Sequence, residues 1–244
     1  MTNHIASKLI KSLREKKHRN DSKKFLVEGE KNVLELFKSD FKIEYIYATK
    51  DFIDDNSEKI PKNLRVQVVT DDELKALGTL EHNTGALAVV FQKKVEVPNT
   101  DTGVTLVLDE IRDPGNLGTL IRIADWYGIK NIICSPSCVD WYNPKVISAT
   151  MGSFTRVNGF YTELPGFLSK QKSRVVGGFL EGKSVYEYEF PKSGFLVIGS
   201  ESHGISKEAR KYINEKVTIP KVGKAESLNA AVSGAIILDR WIGK

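Results

Sequence analysis

The sequence predicts an α/β protein: a parallel sheet spanning roughly residues 104–244, preceded by a smaller α/β module. Three observations lead there. Apolar strands in Thr105–Gly128, Gly194–Ile205 and Lys216–Trp241 each run into a polar loop that contains glycine. Across the same region strands alternate with helices at the lengths of βαβ units. A polar, aperiodic stretch, KKVEVPNTDTG at 93–103, reads as a domain boundary. The organisation expected is therefore 1–92, a linker at 93–103, and 104–244. In an open parallel sheet, ligands bind beyond the carboxyl ends of the strands, so the three loops are the place to look for function.

Taken in order, Ile5, Leu9, Ile10 and Leu13 recur at near-helical spacing. Phe25–Glu28 reads as a brief strand, and Val33, Leu36 and Phe37 line one face of a helix. FKIEYIYAT (41–49) is β-branched and aromatic, hence a strand; RVQVV (65–69) alternates as another. DDELKAL (71–77) places acids at a helix N-terminus, and GALAVVFQ (85–92) closes the module as a strand. Beyond the boundary come TLVLDE (strand), LGTLIRIADWYG (helix), NIICS (strand), a helix through VISATMGSF, the strands RVVGGFL and FLVIGS, and the helix ISKEARKYI. In the first of these helices Leu117, Leu120, Ile121 and Ala124 share a face, and Arg122 points elsewhere.

Composition narrows the function classes. At 244 residues, 41% hydrophobic and 27% charged, the chain is of the globular kind and long enough for a sizeable core. No apolar run approaches the roughly 20 residues a membrane span needs. The two cysteines, Cys134 and Cys138, have no second pair to complete a zinc site, and a cytoplasmic protein with reduced thiols is expected. Charge is uneven. Residues 1–24 carry eight Lys/Arg against two acids, so the remainder of a chain of net charge +5 is close to neutral. Lys11, Lys16, Lys17 and Arg19 belong to this basic start. It is either a solvated helix face or a surface for a phosphate-rich partner; without a membrane anchor beside it, nucleic acid is preferred over lipid.

The loops carry the chemistry. Asp113-Pro-Gly-Asn-Leu-Gly118 lacks the G-x-G-x-x-G spacing, and no P-loop occurs, which disfavours a nicotinamide or nucleoside-triphosphate enzyme. Asn116 either caps the next helix or faces a ligand. Gly199 permits close backbone approach. Glu201 binds a hydroxyl, holds a cation, or is an exposed turn acid. His203 stands alone, so no Ser-His-Asp arrangement assembles.

Together, Asn116-x-Gly118-x-x-x-Arg122, Ile198-Gly199-x-Glu201-x-x-Gly204, and Ile219-Pro220 followed by Ser227-Leu228-Asn229 resemble, in order and spacing, the three motifs of the SpoU (TrmH-type) RNA 2′-O-methyltransferases. The residues before 92, including FLVEGEKNVLEL (25–36) and HNTGALAVV (82–90), are similar to the small substrate-binding domain many of these enzymes carry. The resemblance implies a SPOUT-type parallel α/β domain whose C-terminal segment forms a deep trefoil knot, preceded by a small α/β RNA-binding domain. It implies S-adenosyl-L-methionine held by Gly199, Gly204, Ile219, Pro220 and Leu228, a homodimer formed through the last helix, and no metal. It implies Arg122 as the catalytic residue, with Asn116, Glu201, Ser227 and Asn229 orienting the hydroxyl, the ribose or Arg122. A guanidinium keeps its proton, so Arg122 is expected to bind the adjacent phosphate and stabilise the developing alkoxide. One departure stands out: Lys221 follows Ile219-Pro220 where family members often have Met.

The expected activity is S-adenosylmethionine-dependent 2′-O-methylation of structured RNA, ribosomal RNA favoured over transfer RNA, with Lys11, Lys16, Lys17 and Arg19 contacting it. The alternatives are a transfer RNA 2′-O-methyltransferase and a non-catalytic RNA-binding or ribosome-assembly factor on the same fold.

Overall fold

The computed structural model describes residues 4–79, 85–94, 96–98, 100 and 102–243. The side chains of His4, Ile5 and Ala6, the 82–84 part of HNTGALAVV, and Val95, Asn99 and Asp101 of the expected linker lie outside that description. The chain divides into two compact units, Met1–Lys94 with Asp140–Thr155, and Val95–Val139 with Arg156–Lys244.

In the first unit, helices α1 (His4–Ser12) and α2 (Lys16–Ser22) precede β1 (Lys24–Glu28), α3 (Glu30–Phe37), β2 (Ile43–Ala48), α4 (Lys50–Asn56), β3 (Val66–Val68), α5 (Asp71–Leu77) and β4 (Ala86–Phe91). The expected α5 forms, and Thr70 caps it. Thr70 Oγ1 accepts from Glu73 N at 3.2 Å while Glu73 returns a bond to Thr70 N at 3.0 Å. The sheet runs β1-β4-β2-β3, with β4 antiparallel to β1 and β2, and β3 parallel to β2. Side chains alternate between its faces. Phe25, Val27, Ala88 and Val90 pack on one face with Val33 and Leu36, and Leu26, Leu87 and Val89 pack on the other with Ile10, Leu13 and Leu74.

Two expectations are corrected here. The stretch 140–155, read as part of the second domain, packs in the first unit. Its helix α7 (Pro144–Ala149) and the turn after it deliver Ile147 and Phe154 into the Phe25 core, where Phe154 meets Phe25 edge-on with centroids 6.0 Å apart. Arg19, read as an RNA contact, is only 2% exposed. Its Nε and Nη2 donate to Asp140 Oδ2 at 2.9 and 2.5 Å, and Nη1 donates to the carbonyls of Leu13 and Arg14 at 2.9 and 2.8 Å. A buried guanidinium must spend its donors inside the protein. Arg19 therefore fastens the α1–α2 turn to Asp140. Lys11, Lys16 and Lys17 are exposed.

The second unit contains β5 (Val104–Asp109), α6 (Pro114–Trp126), β6 (Asn131–Cys134), β7 (Asn158–Tyr161), α8 (Leu164–Leu168), β8 (Val175–Ser184), β9 (Gly194–Gly199), α9 (Lys207–Arg210), β10 (Glu215–Thr218) and α10 (Ala230–Ile242). Its six strands are ordered β10-β8-β9-β5-β6-β7 and every pair is parallel. The chain lays β6 and β7 to one side of β5, then crosses to build β8, β9 and β10 on the other. The order thus switches between β5 and β9, and a crevice is expected at their carboxyl ends. Leu117, Leu120, Ile121 and Ala124 of α6 are buried as their spacing predicts. α10 packs along α6 at Gly234, where a Cβ would come within 2.9 Å of Leu120. The helix expected through VISATMGSF is shorter, ending at Ala149, and β7 and α8 were not legible in the sequence.

Candidate active site

β5 and β9 pair so that Asp109 and Gly199, their last residues, lie side by side. Asp109 is buried, and its Oδ2 accepts from Ser206 N at 2.8 Å, tying the loop after β9 to the end of β5. That loop doubles back tightly. Ser200 N donates to Gly204 O at 3.2 Å and Gly204 N to Ser200 O at 2.8 Å. A Cβ on Gly199 would sit 2.1 Å from the Gly204 carbonyl carbon, and Gly204 has a φ of +66°. Glycine is required at both positions, first for contact and then for conformation.

Beside this turn lies a cleft of about 840 Å³. Gly199, Gly204, Ile219, Pro220 and Leu228, the five residues expected to hold a cofactor, all line it, as do Glu201 and Ser227. The cleft carries acids at Glu181, Glu201 and Glu226 and cations at Arg210, Lys216 and Lys221. Backbone brought close by glycine, apolar Ile219 and Leu228, and charges of both signs fit a nucleoside joined to an amino acid, which is the make-up of S-adenosylmethionine.

At the cleft the three loops are joined by side chains. Asn116 Nδ2 donates to Glu201 Oε1. Asn229 Nδ2 donates to Asn116 Oδ1 at 2.7 Å and to Glu201 Oε1 at 3.5 Å, and Ala230 N donates to the same Glu201 oxygen at 3.2 Å. Asn229 is also the N-cap of α10, its Oδ1 accepting from Ala231 N and Val232 N. The cap of α6 is Asp113, which accepts from Asn116 N at 2.8 Å, with Pro114 in the first turn. Asn116 is thereby released from capping, and its amide is free to bridge the loops. The resulting constellation is an acceptor carboxylate between two amides at the rim of a cofactor-sized cleft, able to orient a hydroxyl.

Not every expected residue joins it. Arg122 is exposed on α6 and does not line the cleft. Ser227 lines the cleft, and its hydroxyl has no hydrogen bond among the described residues. Cys134 and Cys138 are buried, free and away from the cleft. Hydrogen bonding from Cys134 lowers the Cys138 thiol to about 7, while the same bond and burial raise Cys134 well above its ordinary range. A nucleophilic cysteine is not part of this site. The sequence reading missed Asp109, Phe179 and Arg210. Asp109 is the last residue of an apolar strand, a signal that was available, whereas Phe179 and Arg210 carry none.

A parallel sheet with two loops lining a nucleoside-sized cleft, and a third bonded to them through Asn116, defines a ligand-binding α/β enzyme domain. The chain belongs to the SpoU rRNA Methylase family, whose model matches residues 103–239; a second model, the MRM3-like substrate binding domain, matches residues 6–88. Among curated relatives, the chain is 28% identical to the 23S rRNA (guanosine(2553)-2′-O)-methyltransferase RlmP of Bacillus subtilis, over 93% of this chain and 92% of that one. A solved structure described as a putative RNA methyltransferase of the TrmH family from Porphyromonas gingivalis superposes with a TM-score of 0.88 at 33% identity, covering 99% of this chain and 98% of that one. An AdoMet-bound rRNA methyltransferase from Sinorhizobium meliloti superposes with a TM-score of 0.85 at 27% identity, covering 98% and 94%.

Proposed function

We propose that the chain transfers a methyl group from S-adenosylmethionine to a ribose 2′-hydroxyl of ribosomal RNA. The observation that carries this is the Asn116–Glu201–Asn229 network, which joins three loops at a cleft lined by Gly199, Ile219 and Leu228, in a member of the SpoU rRNA Methylase family.

S-adenosylmethionine, when bound by Gly199, Gly204, Ile219, Pro220 and Leu228, supplies an activated methyl group. The residues of this chain do the rest by positioning. Glu201 accepts hydrogen bonds and holds both amides in register. Asn116 and Asn229 orient the ribose hydroxyl, and Ser227 offers it a further partner. Arg122 binds the neighbouring phosphate and stabilises the charge that develops on the hydroxyl oxygen as its proton leaves to solvent. The guanidinium is exposed and has no carboxylate partner among the described residues, which suits it to an external phosphate.

The first unit binds folded RNA, with Lys11, Lys16 and Lys17 contacting the phosphate backbone. The trefoil knot and the homodimer belong to the same proposal. A whole-chain match in fold to a TrmH-family structure supports the knot, and exposed Trp126 and Val232 on α6 and α10 support a subunit interface. Among the described residues no helix is long and apolar enough to cross a membrane.

The test is methyl transfer from labelled S-adenosylmethionine to ribosomal and transfer RNA, followed by mapping of 2′-O-methyl positions with and without the gene. Label in ribosomal RNA at one ribose is expected. Label in transfer RNA alone would move the substrate class, and cofactor binding without transfer would favour the assembly-factor alternative.

A further inference from the structure

We propose that Arg210 is a positioning residue that holds the loop Ser202–Ile205 in the shape the cofactor cleft requires; the proposal rests on the reading of that cleft as the S-adenosylmethionine site. Arg210 is the last residue of α9 and lines the cleft. Its Nε donates to Ile205 O at 2.6 Å, and its Nη2 donates to His203 O at 3.4 Å. Its guanidinium lies over the ring of Phe179, another cleft residue, 5.4 Å from the centroid, and Lys216 Nζ approaches the same ring at 5.2 Å.

The arrangement is specific to a fork of donors. Gly199 and Gly204 approach so closely that the loop between them must follow one path, and Gly204 sits with a φ of +66° that only a permissive residue adopts readily. Two carbonyls flanking that glycine, those of His203 and Ile205, are the ones the guanidinium binds. At the near end of α9 the loop is tied down separately, by Ser206 N on Asp109 Oδ2. The planar head thus spans two walls of the cleft, the glycine loop through hydrogen bonds and the β8 segment through Phe179. No carboxylate pairs with Arg210 among the described residues, so neutralising an acid is not its task. A lysine places one compact charge there and cannot satisfy two carbonyls while stacking on an aromatic face.

The test compares wild-type chain, Arg210→Lys and Arg210→Ala by calorimetry with S-adenosylmethionine, by initial rates of methyl transfer to ribosomal RNA, and by thermal unfolding. The cofactor dissociation constant and KM are expected to rise about tenfold in both variants, the loss of roughly one charge-assisted bond pair partly replaced by water. kcat is expected to stay within about twofold, and the unfolding midpoint within about 2 °C. Added guanidinium ion at millimolar concentration should restore cofactor affinity to Arg210→Ala and leave Arg210→Lys unimproved. A lysine variant indistinguishable from wild type overturns the proposal, since charge alone would then suffice. Equal falls in kcat, affinity and midpoint without recovery by guanidinium also overturn it, because they describe a general packing role. Wild-type protein that fails to bind S-adenosylmethionine sinks the cofactor reading itself and is a separate result.

Discussion

Glu201 offers the sharpest perturbation, because all three donors that reach it use one oxygen. Asn116 Nδ2, Asn229 Nδ2 and Ala230 N converge on Oε1. Glu201→Gln can place its carbonyl oxygen where Oε1 stands, keeping three acceptor contacts and losing only the charge. Bonds to a charged group are worth about 1.5–3 kcal/mol and neutral ones about 0.5–1.5, a difference of roughly 1 kcal/mol each. Glu201 is exposed and one of its contacts is long, so solvent screening leaves about 1–2 kcal/mol in all. Expressed in the transition state, that is a fall in kcat/KM of roughly 5- to 30-fold. Glu201→Ala removes every contact and frees both amides, and a loss of roughly 10²–10³ is expected, comparable to deleting one preorganised donor in other enzymes. The assay is labelled methyl transfer to ribosomal RNA, with cofactor affinity measured on the same preparations. Equal losses for Gln and Ala would show that charge, not the network, matters. An alanine variant with wild-type kcat/KM would remove Glu201 from the mechanism.

Other perturbations separate the remaining roles. Arg122→Ala should lower methyl transfer by at least about 10²-fold while cofactor affinity changes less than about threefold, a split readable by rates and calorimetry; parallel losses would deny Arg122 its assigned part. Arg19→Ala leaves Asp140 without its buried partner and should cost the first unit about 3–5 kcal/mol in denaturant unfolding, with the salt dependence of RNA binding unchanged. Replacing Lys11, Lys16 and Lys17 with Gln should instead leave stability alone and flatten the log–log salt slope of RNA binding by about 2. Gly199→Ala drives a methyl group to 2.1 Å from the Gly204 carbonyl carbon and should abolish cofactor binding, seen as loss of the calorimetric signal.

Local pattern accounts for much of the fold and for little of the site. The alternation of apolar strands with helices, the buried stripe of Leu117, Leu120, Ile121 and Ala124, and the acidic start of α5 are all near-neighbour properties, and residues a few positions apart reveal them. The three glycine-bearing loops were legible for the same reason, since each directly follows an apolar strand. β7 and α8 were not, because their short segments NGFY and LPGFL carry Asn-Gly and Pro-Gly pairs, which read as turns and leave few apolar residues to show a pattern.

Other features depend on which distant residues meet, and no local pattern encodes that. Arg19 has the composition of a surface cation, yet Asp140, 121 positions later, draws it inside. Residues 140–155 follow the second unit's strands in sequence but pack where Phe154 and Ile147 find the Phe25 core. Asn116 carried equal claims to a cap and to a ligand until Asp113 took the cap and Glu201 took its amide. The sequence by itself determined the order of most elements, the three loops and the kinds of groups they bear, because those follow from short-range periodicity and chain chemistry. Only the tertiary structure decided that β5 and β9 lie side by side and so bring Asn116, Glu201 and Asn229 together. Strand order is set by packing and hydrogen bonding between segments far apart in the chain, which a linear pattern does not contain.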